Sequence, residues 1–117
     1  MVTSRRTKRW IIPKGWPMHG QSPVEAAGKE AWEEAGVKGT PSGQCLGIYS
    51  YQKADDNGTI PVIVAVFPVH VHKQKSNFPE AKERRVKWMR PKKAAKLVAE
   101  PELRDLLRRF DAEGLMP

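Results

Sequence analysis

The stretch Trp10–Val37, WIIPKGWPMHGQSPVEAAGKEAWEEAGV, limits what this chain can become more than any other part of it. It reads as a short strand, a Gly/Pro-rich loop and one well-punctuated helix. Ser22 is placed to cap the helix, Pro23 fits its first position, and Glu25 completes an S-x-x-E capping box. Gly36 supplies the stop. Within the helix Val24, Ala27, Ala31 and Ala35 recur at helical spacing. They make a narrow face of small residues suited to close packing on a sheet.

A second face carries Glu30, Glu33 and Glu34 at i, i+3 and i+4. Like charges one turn apart destabilise an isolated helix by about 0.2–0.5 kcal/mol. A divalent cation reverses that sign. Hard oxygen ligands suit Mg²⁺ or Mn²⁺, and Mg²⁺ is commonly held by one or two carboxylates together with substrate phosphates. A plainer reading stands beside this one. Glu25, Lys29 and Glu33 lie at i, i+4 and i+8, which also describes a solvated salt-bridge ladder.

The preceding loop decides between them. With Gly15, Gln21 and the run Lys29-Glu30-Ala31-Trp32-Glu33-Glu34-Ala35-Gly36-Val37, the stretch resembles the Nudix box, G-x5-E-x7-R-E-U-x-E-E-x-G-U, where U is a bulky aliphatic residue. Spacing is kept without insertion. Three positions depart: Gln21 replaces the first Glu, Lys29 replaces Arg, and Ala31 is a small residue at a U position. The resemblance implies Glu30 and Glu34 as metal ligands, joined by the backbone carbonyl of Lys14, with Mg²⁺ or Mn²⁺ as cofactor. It implies Glu33 as the general base, itself able to touch metal. The family's box Arg holds the carboxylates in place; Lys29 keeps the charge but loses the planar fork. Gln21 lacks the charge of the Glu it replaces, so weaker activity is expected from it than from a Glu.

The basic turn Ser4-Arg5-Arg6-Thr7-Lys8-Arg9 precedes the strand Arg9–Ile12. In the diphosphoinositol-polyphosphate and diadenosine-polyphosphate branches of the family, basic residues at this place grip phosphates. Arg5, Arg6, Lys8, Arg9 and Lys14 are therefore the candidate substrate-binding residues; a solvated turn is the alternative. Trp16 and Met18 either floor a substrate cleft or pack on the core. His19 reads as a surface residue. Val2 looks like the tail of a strand. The resemblance leads one to expect a further N-terminal strand that this chain lacks, and an open sheet edge able to pair with a second copy in a homodimer.

After the helix, Lys38–Gly43 reads as a turn and Gln44–Gln52 as a strand, followed by a hairpin loop at Ala54-Asp55-Asp56-Asn57-Gly58. Ile60–His72 reads as one long central strand, with Pro61 at its start and Pro68 at a bend. His70 and His72 share a face but lack further zinc ligands in the pattern. In the polar loop Lys73–Lys82 and just beyond it, Glu80 or Glu83 is the further acid that the family often uses. Arg84–Met89 is expected to be a final strand, and two helices starting at Pro91 and Pro101 end the chain. The second carries an apolar stripe of Leu103, Leu106, Leu107 and Phe110, read as core or dimer contact.

Length and composition fit this picture. A chain of 117 residues is enough for one domain, 1–117, with a modest core. Net charge is +8, which favours highly phosphorylated ligands. The charge is spread over the chain without an aromatic stacking pattern, so nucleic acid is not the expected partner. No apolar run is long enough to cross a bilayer. Cys45 is the lone cysteine and reads as a small core residue in a reducing cytoplasm. The expectation is an α/β (α+β) sandwich of the Nudix type with a mixed sheet. Its expected activity is Mg-dependent hydrolysis of a diphosphate linkage in a nucleoside polyphosphate or a diphosphoinositol polyphosphate. Two other readings remain at this point: a degenerate domain acting as a ligand sensor, and an RNA 5′-end pyrophosphohydrolase or RNA binder.

Overall fold

The computed structural model describes residues 1–111. Its elements run β1 (Val2–Thr3), β2 (Trp10–Ile11), α1 (Pro23–Ala35), β3 (Val37–Pro41), β4 (Gly47–Asp55), β5 (Gly58–Val66), β6 (Val69–Gln74), α2 (Pro91–Leu97) and α3 (Pro101–Arg109). The last six residues of the expected single domain lie outside the described residues.

Local chemistry accounts for α1. The Glu25 N–H donates to Ser22 Oγ and the Ser22 N–H donates to Glu25 Oε1, each at 3.1 Å, so the capping box closes in both directions. Gly36 ends the helix with φ 71°. A side chain there would be strained and would also strike the Lys75 carbonyl and the Phe78 ring. The buried residues of α1 are Ala26, Ala31, Glu34 and Ala35. The face is thus turned from the expected one: Val24 and Ala27 are only partly covered, and a carboxylate takes their place in the interior.

The class is α+β, as expected. The strands pair as three antiparallel ladders among the described residues: β1 with β2, β3 with β6, and β4 with β5. The expected mixed sheet is not continuous, and the reason lies in specific residues. The sequence Ile60–His72 is not one strand. It divides at Phe67-Pro68 into β5, which forms a hairpin with β4, and β6, which crosses to β3. Pro68 has no N–H to offer a ladder. Nor is the run buried on both faces, since Ile60 and Ile63 are exposed.

Lys38–Gly43 reads as a turn from its Gly, Pro and Ser, yet Val37–Pro41 is a strand because β6 pairs with it. The strand expected at Arg84–Met89 shrinks to one bridge, Val86 to Val2. Cys45 is exposed in the loop before β4, where its thiol donates to the Gly47 carbonyl (3.3 Å).

Two apolar clusters hold the layers together. Val2, Ile11, Ala31, Ala35 and Val37 join α1 to β1, β2 and β3, with Val69, Val71 and Val86 packed against them. Tyr49, Val98 and Leu103 seat α3 on the β4–β5 hairpin, with Leu107 alongside. The stripe on α3 is therefore core, as one of its two expected readings had it. Full burial of a residue such as Leu103 is worth about 1.5–3 kcal/mol. Leu103→Ala is expected to lower stability by about 2–5 kcal/mol in urea unfolding, against about 1 kcal/mol for Ser22→Ala. A Leu103→Ala loss no larger than that of Ser22→Ala would mean that α3 does not pack as described.

Candidate active site

A cleft of about 630 Å³ opens between α1, the β2–α1 loop, the β4–β5 hairpin and the loop bearing Glu80 and Arg84. Glu30 and Glu34 line it from α1, and Ile12 to Pro17 line it from the loop. Gly15 explains why the loop passes so close to the helix. A Cβ at that position would lie 2.5 Å from Glu30 Oε1, so any other residue would displace the carboxylate from its present place.

Glu34 is 3% exposed. Burial, the hydrogen bond with Glu30, and the charges of Glu30 and Glu80 push its carboxyl up to about 8, against the opposing pull of Arg84. The Lys14 N–H also points at Glu34 Oε1, at 3.4 Å.

Arg84 is the residue that the sequence reading missed. Its side chain is 7% exposed. One guanidinium nitrogen, Nη2, stands 3.5 Å from Glu34 Oε1 and 2.8 Å from Glu80 Oε1. Nε donates to the same Glu80 oxygen (3.0 Å), and Nη1 donates to the Thr3 carbonyl (3.0 Å). Glu80 is itself anchored to the helix end, its N–H donating to the Glu33 carbonyl (3.0 Å). Arg84 thus ties two cleft carboxylates to β1. Its four-residue separation from Glu80 was the available signal, but a loop carries no helical periodicity to make that spacing meaningful. Tyr51 and Lys53, two apart on β4 and so on one face, also line the cleft and were not singled out.

The other expected residues divide sharply. Of the two candidate extra acids, Glu80 lines the cleft; Glu83 is exposed and pairs with Arg5 (3.5 Å). Glu33 is not among the lining residues, and its carboxylate lies 3.7 Å from Lys29 Nζ. Lys29 also donates to Met18 Sδ (2.6 Å), so its ammonium serves Glu33 and the loop. Gln21 closes that loop: its Oε1 accepts from the Met18 N–H (2.9 Å), and its own N–H donates to the Met18 carbonyl (2.8 Å).

Within the basic turn only Arg5 reaches the cleft, and it is engaged with Glu80 and Glu83. Arg9 pairs with Glu100 at 3.5 Å, Lys8 donates to the Glu83 carbonyl, and Arg6 is exposed outside the lining. Trp16 lines the cleft, whereas Met18 does not. His70 and His72 meet edge to face in a solvent-exposed pair, with Thr40 Oγ1 3.3 Å from His72 Nε2.

The donor set bears on a divalent cation. Among the described residues no three His, Cys, Asp or Glu side chains stand together as a ready-made metal centre. Glu30 and Glu34 instead form a close carboxylate pair at the cleft wall, with Glu80 beside them across Arg84. Two carboxylates, one of them buried against a like charge, fit an ion that draws its remaining ligands from water and substrate oxygens.

Comparison with known proteins agrees with this geometry. A family model of the NUDIX domain matches residues 1–110, and the chain belongs to the Nudix family. It is similar to "Nudix hydrolase 13, mitochondrial" of Arabidopsis thaliana, at 26% identity over 94% of this chain and 57% of that protein. "Nudix hydrolase 12, mitochondrial" of the same plant is 30% identical over 83% of this chain and 50% of its own length. "Diphosphoinositol polyphosphate phosphohydrolase 3-alpha" of Homo sapiens is 36% identical over 55% of this chain and 38% of that protein. The chain therefore spans about half the length of the first two relatives.

The raised Glu34 carboxyl has a consequence for the metal-free protein. In the folded state it keeps its proton up to about 8, whereas the unfolded chain releases it near the ordinary value of 4.5. Between these values the folded state binds more protons, so raising the pH costs stability. Urea unfolding in the presence of a chelator is expected to show wild type losing stability relative to Glu34→Gln as pH rises from about 4.5 to about 8. A pH-independent difference between the two would contradict the burial of Glu34.

Proposed function

We propose that this chain is a divalent-metal-dependent Nudix hydrolase that cleaves a diphosphate linkage in a highly phosphorylated small molecule. The observation that carries this reading is the carboxylate pair Glu30–Glu34 in the wall of a cleft, with the Gly15 loop passing close over Glu30. Two acidic groups brought together, one of them buried, gain stability from a cation. The Nudix box on this helix, and relatives whose names include hydrolases of diphosphoinositol polyphosphates, support the choice of chemistry.

Glu30, Glu34 and the Lys14 carbonyl are the groups that would hold Mg²⁺ or Mn²⁺, which when bound neutralises the diphosphate and lowers the pKa of an attacking water. The remaining work falls to the protein. Arg84 fixes Glu34 and Glu80 so that their oxygens keep one orientation. The family resemblance assigns Glu33 as the base that takes the proton from water, although its carboxylate lies outside the cleft lining, against Lys29. Gln21 keeps the loop closed but adds no charge to the site.

The test is a panel of diphosphate-containing compounds, among them dinucleoside and diphosphoinositol polyphosphates, incubated with Mg²⁺ or Mn²⁺. Release of phosphorylated products is expected, and Glu34→Gln and Glu33→Gln are each expected to reduce it by about 100-fold or more. Absence of turnover across the panel, with ligands bound equally well without metal, would overturn the reading. Full turnover in Glu33→Gln together with its loss in Glu80→Gln would transfer the base role to Glu80. Gln21→Glu preserves the acceptor for the Met18 N–H and adds a carboxylate. It is expected to raise both turnover and Mn²⁺ affinity several-fold; no change in either would show that the departure at this position is silent.

A further inference from the structure

Charge bookkeeping around the cleft points to a phosphate subsite away from the basic turn. Four cationic side chains line the cleft: Arg5, Lys14, Lys53 and Arg84. Arg84 is committed to Glu34 and Glu80, and Arg5 to Glu80 and Glu83. Among the described residues, Lys14 and Lys53 have no carboxylate within ion-pair distance. They are the uncompensated cations of the cleft, and both stand at the wall formed by the hairpin and the β2–α1 loop.

Each has an aromatic ring within cation–π reach. Lys14 Nζ donates to the Tyr51 hydroxyl (3.0 Å) and lies 4.5 Å from the centre of the Tyr51 ring. Lys53 Nζ lies 6.0 Å from the centre of the Trp16 ring, which is itself 61% exposed and lines the cleft. Tyr51 and Lys53 alternate onto the same face of β4, so the strand that carries Lys53 also carries the ring against which the Lys14 ammonium lies. Aromatic support restrains a lysine without neutralising it, which leaves its charge available to an anion.

We propose that Lys14 and Lys53, braced by Tyr51 and Trp16, form a binding site for a further phosphoryl group of the substrate, beyond the diphosphate held at the carboxylates. This rests on the reading of the chain as a diphosphate hydrolase and names its substrate class: molecules with at least three phosphoryl groups in reach of one another. A compound whose diphosphate is flanked only by neutral groups leaves both ammonium groups unsatisfied. The basic turn is the competing place for this role: Arg5 reaches the cleft but is paired with Glu80 and Glu83, Arg9 is paired with Glu100, and Arg6 and Lys8 lie outside the lining.

The experiment is calorimetric titration of the full chain with inorganic tripolyphosphate and with pyrophosphate, each in Mg²⁺. Tripolyphosphate is expected to bind at least tenfold more tightly than pyrophosphate. Lys53→Gln and Lys14→Gln are each expected to weaken tripolyphosphate binding about tenfold while changing pyrophosphate binding less than threefold. Lys53→Arg retains the charge and is expected to restore most of the affinity. Lys96→Gln, on the exposed surface of α2, controls for net charge and is expected to change neither. In turnover, Lys53→Gln is expected to raise KM with kcat little altered.

Equal affinities for the two anions, no measurable tripolyphosphate binding, or a loss in Arg6→Gln that Lys53→Gln does not show would each overturn the proposal. The two readings fail separately. Lysine-dependent tripolyphosphate binding without turnover of any panel compound would retain the subsite and remove the hydrolase. Glu34-dependent turnover with KM unchanged in Lys53→Gln would do the reverse.

Discussion

A buried carboxylate sets the terms for the rest of the molecule. Glu34 lies in the interior face of α1 among alanines, where an apolar residue would pack without penalty. Its neighbours are arranged to tolerate it. Glu30 lies within hydrogen-bond reach of it, the Lys14 N–H points at it, and the Arg84 guanidinium lies within ion-pair distance. None of these partners is enough to keep it ionised near neutrality without metal. Interiors of proteins tolerate such groups when they are hydrogen-bonded and paired. The clamp from Arg84 to β1 is intelligible as a consequence of keeping that one acid in place.

Elements whose causes are local were legible in the sequence. The helix α1 was readable from start to stop because Ser22, Pro23, Glu25 and Gly36 act on backbone groups within a few residues of themselves. Glu30 and Glu34 were readable for the same reason, since helix spacing alone brings them together. The strands were harder. Val37–Pro41 carries Gly39 and Pro41 and looks like a turn; it becomes a strand because Val69–Gln74 lies alongside it. The apolar run after Asn57 looks continuous, and the break at Pro68 shows only when β5 and β6 are seen to take different partners.

The same distinction governs the cleft. Two of its acids, Glu30 and Glu34, come from one helix and were visible, whereas Glu80 comes from a separate loop. The cationic half comes from Arg5, Lys14, Lys53 and Arg84, which lie on four separate segments. A basic turn beside the catalytic strand is a reasonable place to seek phosphate ligands. Sequence carries no record, however, that Arg5 is taken up by Glu80 and Glu83 or Arg9 by Glu100. Net charge carries no information on location, because pairing rather than abundance determines which cations remain free.

The clamp joining Arg84 to the Thr3 carbonyl links residues 81 positions apart in the chain. A ribosome delivers Glu30 and Glu34 long before it delivers that guanidinium. Until it arrives, the nascent acidic pair has neither its fixed counter-charge nor the loop that carries Glu80. The cleft is thus completed late in synthesis, and a chain interrupted before Arg84 would expose its carboxylates to water rather than hold them ready for a ligand.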